Sequence, residues 1–206
     1  MITRDDEDLP GLLAPLARTD ELALARLHSR LAQSAQRDGI LDVAFDIRDT
    51  PVGGLLLAAT EAGLVRVAYA GEDHDSVLAA LAAAVSPRIL RAPHRVEEAA
   101  RQIDEYFAGT RTHFDIPLDF RLSHGFRRDV LSHLSGIAYG QTESYAQVAR
   151  AVGNPGAVRA VGSACAMNPL PVVVPCHRVV RSDGSAGGYV GGAVAKRILL
   201  TLESAA

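Results

Sequence analysis

The 206-residue chain has no tryptophan and only two cysteines, Cys165 and Cys176. Two cysteines allow at most one bridge, and neither sits in the spaced Cys/His clusters that zinc requires, so neither a disulfide scaffold nor a zinc module is expected. No apolar run approaches the roughly 18 residues that a membrane-spanning helix needs. The start, Met-Ile-Thr-Arg-Asp-Asp-Glu-Asp, is acidic where a secretory signal would be basic and then apolar. These absences predict a cytoplasmic protein with no membrane contact. Repeats and low-complexity segments are also missing. With 48% hydrophobic and 22% charged residues the chain is globular in composition, not disordered, collagenous or coiled coil.

Charge is unevenly placed. Residues 1–120 carry 12 Lys+Arg and 20 Asp+Glu, net −8, whereas residues 121–206 carry 9 and 4, net +5. The C-terminal part therefore has the electrostatics to meet a phosphate backbone, although an excess of this size is common in ordinary domains.

Residues 1–18, acidic and broken by Pro10 and Pro15, are expected to form a poorly ordered tail. A helix capped by Thr19 or Asp20 should run to about Gln36, with Leu22, Leu24, Leu27 and Leu31 near one face, and end at Asp38-Gly39. Alternation of Leu41, Val43, Phe45 and Ile47 with polar or small residues predicts a strand. Turns at 50–54 and 61–63 then frame strands at 55–59 and 64–69, an antiparallel meander. Helices over 75–84 and 96–107 follow, with short strands at 88–91 and 116–118. From Ser123 the pattern changes to helices over 124–135, 144–152, 156–167 and 192–203. The predicted organisation is an N-terminal extension (1–38), an α/β domain with a small antiparallel sheet (39–120), and a mostly helical domain (121–206). Gly153-Asn154-Pro155 between two of its helices outlines a helix-turn-helix, more often plain packing than DNA reading when taken alone.

The apolar run Val172-Val173-Val174 predicts a buried strand delivering Pro175-Cys176-His177-Arg178 at its end. A lone cysteine is usually inert, but a thiol beside an imidazole oriented by a carboxylate is a nucleophile, and His177 and Glu203 could supply both groups. In an extended segment neighbouring side chains diverge, so a bend or a bridging water is needed between Cys176 and His177. The Gly187–Gly192 run lacks the Gly-Lys-Ser/Thr ending of a phosphate loop. The other histidines show no ligand spacing: His124 and His133 fall about 180° apart on a helix. No metal is assigned.

Ser144-Tyr145, Gly153-Asn154-Pro155, Arg159-Ala160-Val161-Gly162, Asn168-Pro169, Pro175-Cys176-His177-Arg178-Val179, Gly188-Tyr189-Val190-Gly191-Gly192, Lys196, Leu199-Leu200 and Glu203 occur in one order. In this the chain resembles the O6-alkylguanine-DNA alkyltransferases, strongly over about 122–206 and more loosely over 41–120. The resemblance implies irreversible transfer of an alkyl group from O6 of guanine in double-stranded DNA to Cys176, without a cofactor, by a protein that is monomeric in solution. By the same matching His177 is the base acting through water and Glu203 orients it. Arg159 is the finger that fills the stack when the base is flipped out, and Tyr145 crowds the flanking phosphate and contacts the extruded guanine. Ala157, Ala160 and Ser163 let the helix lie close to the minor groove, and Asn168 ties that helix to the active-site turn. Val179, Tyr189 and Val190 complete the pocket, the last two on a loop over 182–190.

Two departures stand out: Leu131 where relatives often carry Trp, and Val190 where many carry Ser or another small residue. Cys165 matches no acceptor and reads as a small apolar residue. Two rival readings are a non-catalytic alkylguanine sensor, whose members lack the acceptor cysteine, and a Cys-His hydrolase of small esters. Preference among alkyl groups, O4-alkylthymine as a second substrate, cooperative assembly on DNA and the role of residues 1–38 are not specified by these motifs.

Overall fold

A computed structural model describes the backbone of residues 9–204 and the side chains of residues 22–204. The chain divides into two compact units, residues 1–41 and 42–206. The first holds helix α1 (Leu9–Arg37). It begins ten residues before the expected cap, so residues 9–18 are helical, not an irregular tail; the remainder of that tail lies outside the described residues. Pro10 falls in the first turn, where a missing N–H costs nothing. The helix stops at Gly39, whose φ of 66° is left-handed, with the Ile40 amide bonded to the Ala35 carbonyl at 2.9 Å.

The second unit opens with β1 (Val43–Thr50), β2 (Gly53–Thr60) and β3 (Gly63–Tyr69), followed by α2 (His74–Ala84), β4 (Ile89–Arg91) and α3 (Pro93–Phe107). The sheet order is β3-β2-β1-β4. The first three strands are antiparallel as expected, but β4 runs parallel to β1, so the sheet is mixed. The intervening α2 is the crossover a parallel pair requires. The run Leu55-Leu56-Leu57 is apolar at every position because both faces of β2 are covered. Leu55 and Leu57 join the cluster holding α3, whereas Leu56 and Ala58 join one holding Val77 and Leu81 of α2. The strand expected at 116–118 reduces to one bridge, Leu64 with Leu118, because Pro117 can only accept there, taking the Leu64 amide at 2.8 Å.

The remaining elements are α4 (Gly125–Leu134), β5 (Glu143–Ser144), α5 (Tyr145–Ala151), α6 (Val158–Ala166), β6 (Val179–Val180) and α7 (Gly192–Ser204). Leu131 is fully buried in α4, in the same cluster that contains Ile103, Val161, Cys176 and Leu199. One core thus runs from the sheet to the last helix, with α3 packed on β1 and β2. β3 is tied to the C-terminal elements directly, since the Val67 amide donates to the Pro169 carbonyl at 2.8 Å.

Candidate active site

The site grows out of the connection between α6 and α7. The strand expected at Val172-Val173-Val174 is a turn, and extended pairing comes only later, where Val179–Val180 runs parallel to Glu143–Ser144. Burial of the valines was read correctly, but a side chain overrides their strand preference. The amide of buried Asn168 donates to the Val174 carbonyl (2.9 Å) and to the Cys176 thiol (3.1 Å), while its oxygen accepts from the Leu170 amide (2.9 Å). Coiling the chain around Asn168 places Val172 at φ 72°, an uncommon angle for a β-branched residue. Cys176–Arg178 then forms a single 3-10 turn, which supplies the bend that sequence reasoning required between Cys176 and His177.

His177 is fully buried, with Nε2 2.7 Å from Oε1 of Glu203 in the last turn of α7. An ionised carboxylate can only accept, so Nε2 carries the hydrogen and Nδ1 keeps its lone pair. Nδ1 is buried and has no hydrogen-bond partner among the described residues. Glu203 also receives Nε and Nη2 of Arg178 at 2.9 Å each, the Tyr106 hydroxyl at 2.7 Å and the Gly140 amide at 3.2 Å. Burial alone would raise its pKa. The bonds from His177, Arg178 and Tyr106 outweigh burial and hold the carboxyl down at about 2. His177 is shifted the other way: burial disfavours its cation and lowers its pKa, with Glu203 opposing in part.

Burial pushes the Cys176 thiol up to about 11, against the smaller pull of the Asn168 bond and the Lys196 charge. Lys196 is the chain's only lysine and is fully buried. Its ammonium donates to the carbonyls of Val179 (2.6 Å) and Gly188 (3.4 Å), fastening the glycine-rich loop to the active-site turn. Two tyrosines pack against that loop. A Cβ on Gly187, which has φ 66°, would lie 2.8 Å from the Tyr145 hydroxyl, and a Cβ on Gly191 would lie 2.5 Å from the ring of Tyr69. Tyr189, between them, stands edge-on to the His177 ring at 6.2 Å. Val190 beside it is half-buried.

The helix-turn-helix outline is realised by α5 and α6. Ser144 caps α5 reciprocally with Gln147, through bonds of 3.2 and 2.6 Å. On α6, Val161, Ala164 and Cys165 face the core. Arg159, Ala160 and Ser163 are exposed and Ala157 half-buried, and the Arg159 side chain makes no hydrogen bond or ion pair among the described residues. Cys176, His177, Glu203, Asn168, Tyr145, Val179, Tyr189 and Val190 thus cluster around the Pro-Cys-His-Arg turn, whereas Arg159, Ala160 and Ser163 lie on an outer helix face.

Sequence reasoning missed Tyr69 and Tyr106, which reach the site from the sheet and from α3. A signal existed for Tyr106: it continues the buried stripe Val96, Ala99, Ala100, Ile103, and a buried tyrosine hydroxyl needs a partner. Among the described residues no group of three His, Cys, Asp or Glu could hold a metal, and no helix is long and apolar enough to cross a membrane.

Two family models match the chain: the ribonuclease-like domain of 6-O-methylguanine DNA methyltransferase over residues 43–120 and its DNA binding domain over 125–205. A methylated-DNA–protein-cysteine methyltransferase of Mycolicibacterium paratuberculosis is 40% identical over 155 residues, 75% of this chain and 88% of the relative. The constitutive enzyme of that name from Bacillus subtilis is 38% identical over 160 residues, 75% and 92% of the two chains. The crystal structure of the Mycobacterium tuberculosis O6-methylguanine methyltransferase superposes with a TM-score of 0.70 at 36% identity, covering 79% of this chain and 93% of that one. A structure of that bacterium's OGT in complex with DNA gives 0.68 at 35%, with the same coverage. On this extent of agreement, across both halves of residues 42–206, the chain belongs to the 6-O-methylguanine DNA methyltransferase family.

Proposed function

We propose that the chain repairs DNA by moving the alkyl group of O6-alkylguanine, once and irreversibly, onto Cys176. The observation that carries this reading is a buried thiol next in sequence to an imidazole whose Nε2 is held by Glu203 and whose Nδ1 is free to accept a proton. At rest the thiol is neutral, because burial holds its pKa at about 11. Neutral His177 takes the thiol proton through a water molecule, and the ionised Glu203 stabilises the resulting imidazolium. The thiolate attacks the alkyl carbon, the C–O bond breaks, and the guanine takes the electron pair and a proton. A thioether has no facile return path, so each chain acts once.

A base inside a duplex cannot reach a buried thiol, so the guanine is flipped out at a cost of a few kcal/mol. Arg159, exposed and without a partner among the described residues, suits the part of a finger in the vacated stack, and Ala157, Ala160 and Ser163 permit close approach to the minor groove. Tyr145 borders the pocket against Gly187. In this reading residues 39–120 form a supporting domain and 121–206 the DNA-binding and transfer domain, and the protein works as a cytoplasmic monomer. Asn168 acts by holding the turn, and Val179, Tyr189 and Val190 line the guanine and alkyl sides.

The test is intact-protein and peptide mass spectrometry after mixing equimolar protein with a duplex containing one O6-methylguanine. The expected result is one added methylene on the Cys176 peptide, saturating at one per chain. Unchanged mass with the lesion bound would mean a non-catalytic sensor, and unchanged mass without binding would return the hydrolase.

A further inference from the structure

We infer that Tyr69, on the last position of β3, is a specificity-determining residue that fixes the alkyl-side wall of the pocket by locking Tyr189. The inference rests on the transfer reading above and adds a residue to it from outside the C-terminal motifs. Tyr69 is 5% exposed and its hydroxyl lies 2.8 Å from the hydroxyl of Tyr189, 120 residues later. The two rings meet edge to face at 5.8 Å. Tyr189 in turn stands edge-on to the ring of His177, the residue that follows the reacting Cys176.

The lock has three supports. The Tyr69 backbone is itself fixed, its amide donating to Glu72 at 2.9 Å while Glu72 is paired with Arg66. Its ring fills the space over Gly191, where no side chain larger than hydrogen fits without displacing it. The Gly188 carbonyl just before Tyr189 is held by Lys196. Tyr189 can therefore yield to a bulky group only by breaking its bond to Tyr69 and moving the loop. A benzyl group is larger than a methyl group and so is the one on which such a movement would bear. The hydroxyl pair thus penalises large alkyl groups selectively.

The experiment measures second-order rates of Cys176 alkylation, by peptide mass, with a duplex bearing O6-methylguanine and with O6-benzylguanine as the free base. Wild type, Tyr69→Phe, Tyr189→Phe and the double variant are compared, together with their melting temperatures. Tyr69→Phe removes one oxygen and keeps the ring on Gly191, so the fold is preserved. The benzyl-to-methyl rate ratio should rise by about three- to tenfold in each single variant, the range one hydrogen bond commands, and no further in the double variant. An unchanged ratio in Tyr69→Phe, or additive effects, would overturn the assignment. So would a parallel fall of both rates with the melting temperature, which is the signature of a merely structural role. Failure of wild type to carry methyl on Cys176 would instead overturn the transfer reading, and this inference with it.

Discussion

Glu203 is the residue on which the site's charges converge. Its carboxylate is accepted as a buried ion because His177, Arg178, Tyr106 and the Gly140 amide all donate to it. Replacing it with Gln keeps the shape but leaves Arg178 buried without its counter-charge, so Glu203→Gln should cost about 3–5 kcal/mol in urea denaturation and slow transfer at least about a hundredfold. The same carboxyl predicts an acid limb in stability. Its folded-state pKa is depressed from 4.5 to about 2, so its contribution is complete above 4.5 and is lost as pH falls from there toward 2. Urea midpoints of wild type should drop across that window, and those of Glu203→Gln should drop less; equal slopes would show that Glu203 is not the titrating group. Tyr106 tests the same centre from another side. Tyr106→Phe withdraws one donor from Glu203 and strengthens its bond to His177, which makes the imidazole more basic. The acid limb of the pH–rate profile should therefore move to higher pH, a change that loss of packing alone would not produce.

At the scale of elements, the active-site turn shows what local sequence could and could not reveal. The meander, α2, α3 and the C-terminal helices were legible because their apolar positions recur at two or at three to four residues, and each lies within a few residues of its expected place. Val172-Val173-Val174 was legible as buried and misread as a strand, because the turn is shaped by Asn168, four to six residues upstream, through bonds that propensity does not encode. Residue chemistry suggested the Cys176–His177–Glu203 set, but its pairing rested on the motif order; the bonds that join His177 and Tyr106 to Glu203 span 26 and 97 residues and leave no periodic trace. Asn168 is accordingly the residue on which the element depends. Asn168→Ala leaves the Leu170 amide buried without its partner, at about 1–3 kcal/mol, and takes from the Val174 carbonyl one of its two donors, the Cys176 amide remaining, so thermal melting should fall by several degrees. Cys176 should also lose alkylation rate beyond what the stability loss explains, since its thiol loses a donor. A variant that melts lower but alkylates at the wild-type rate would confine Asn168 to the fold.

For the whole molecule, the division of charge limits how DNA can approach. Residues 1–120 carry net −8 and residues 121–206 net +5, so a phosphate backbone is repelled by one part and drawn to the other. The only lysine is buried in the pocket wall, which leaves arginine as the sole source of exposed side-chain cations. Among the exposed ones on the C-terminal part are Arg128, Arg150, Arg159, Arg181 and Arg197. Affinity for undamaged duplex should thus fall steeply with salt, each phosphate contact adding about 0.9 to the slope of log K against log salt. This separates two roles for Arg159. As a finger within the base stack it touches no phosphate, so Arg159→Ala should slow repair of duplex O6-methylguanine by tenfold or more, leave alkylation by free O6-benzylguanine near wild type, and keep the salt slope unchanged. As a phosphate contact it would lower the slope by about one and weaken binding to damaged and undamaged duplex alike. Binding titrations at several salt concentrations, paired with the two alkylation rates, distinguish the roles. A reduced slope with equal loss on both duplexes would remove Arg159 from the stack and make it one more element of the basic surface.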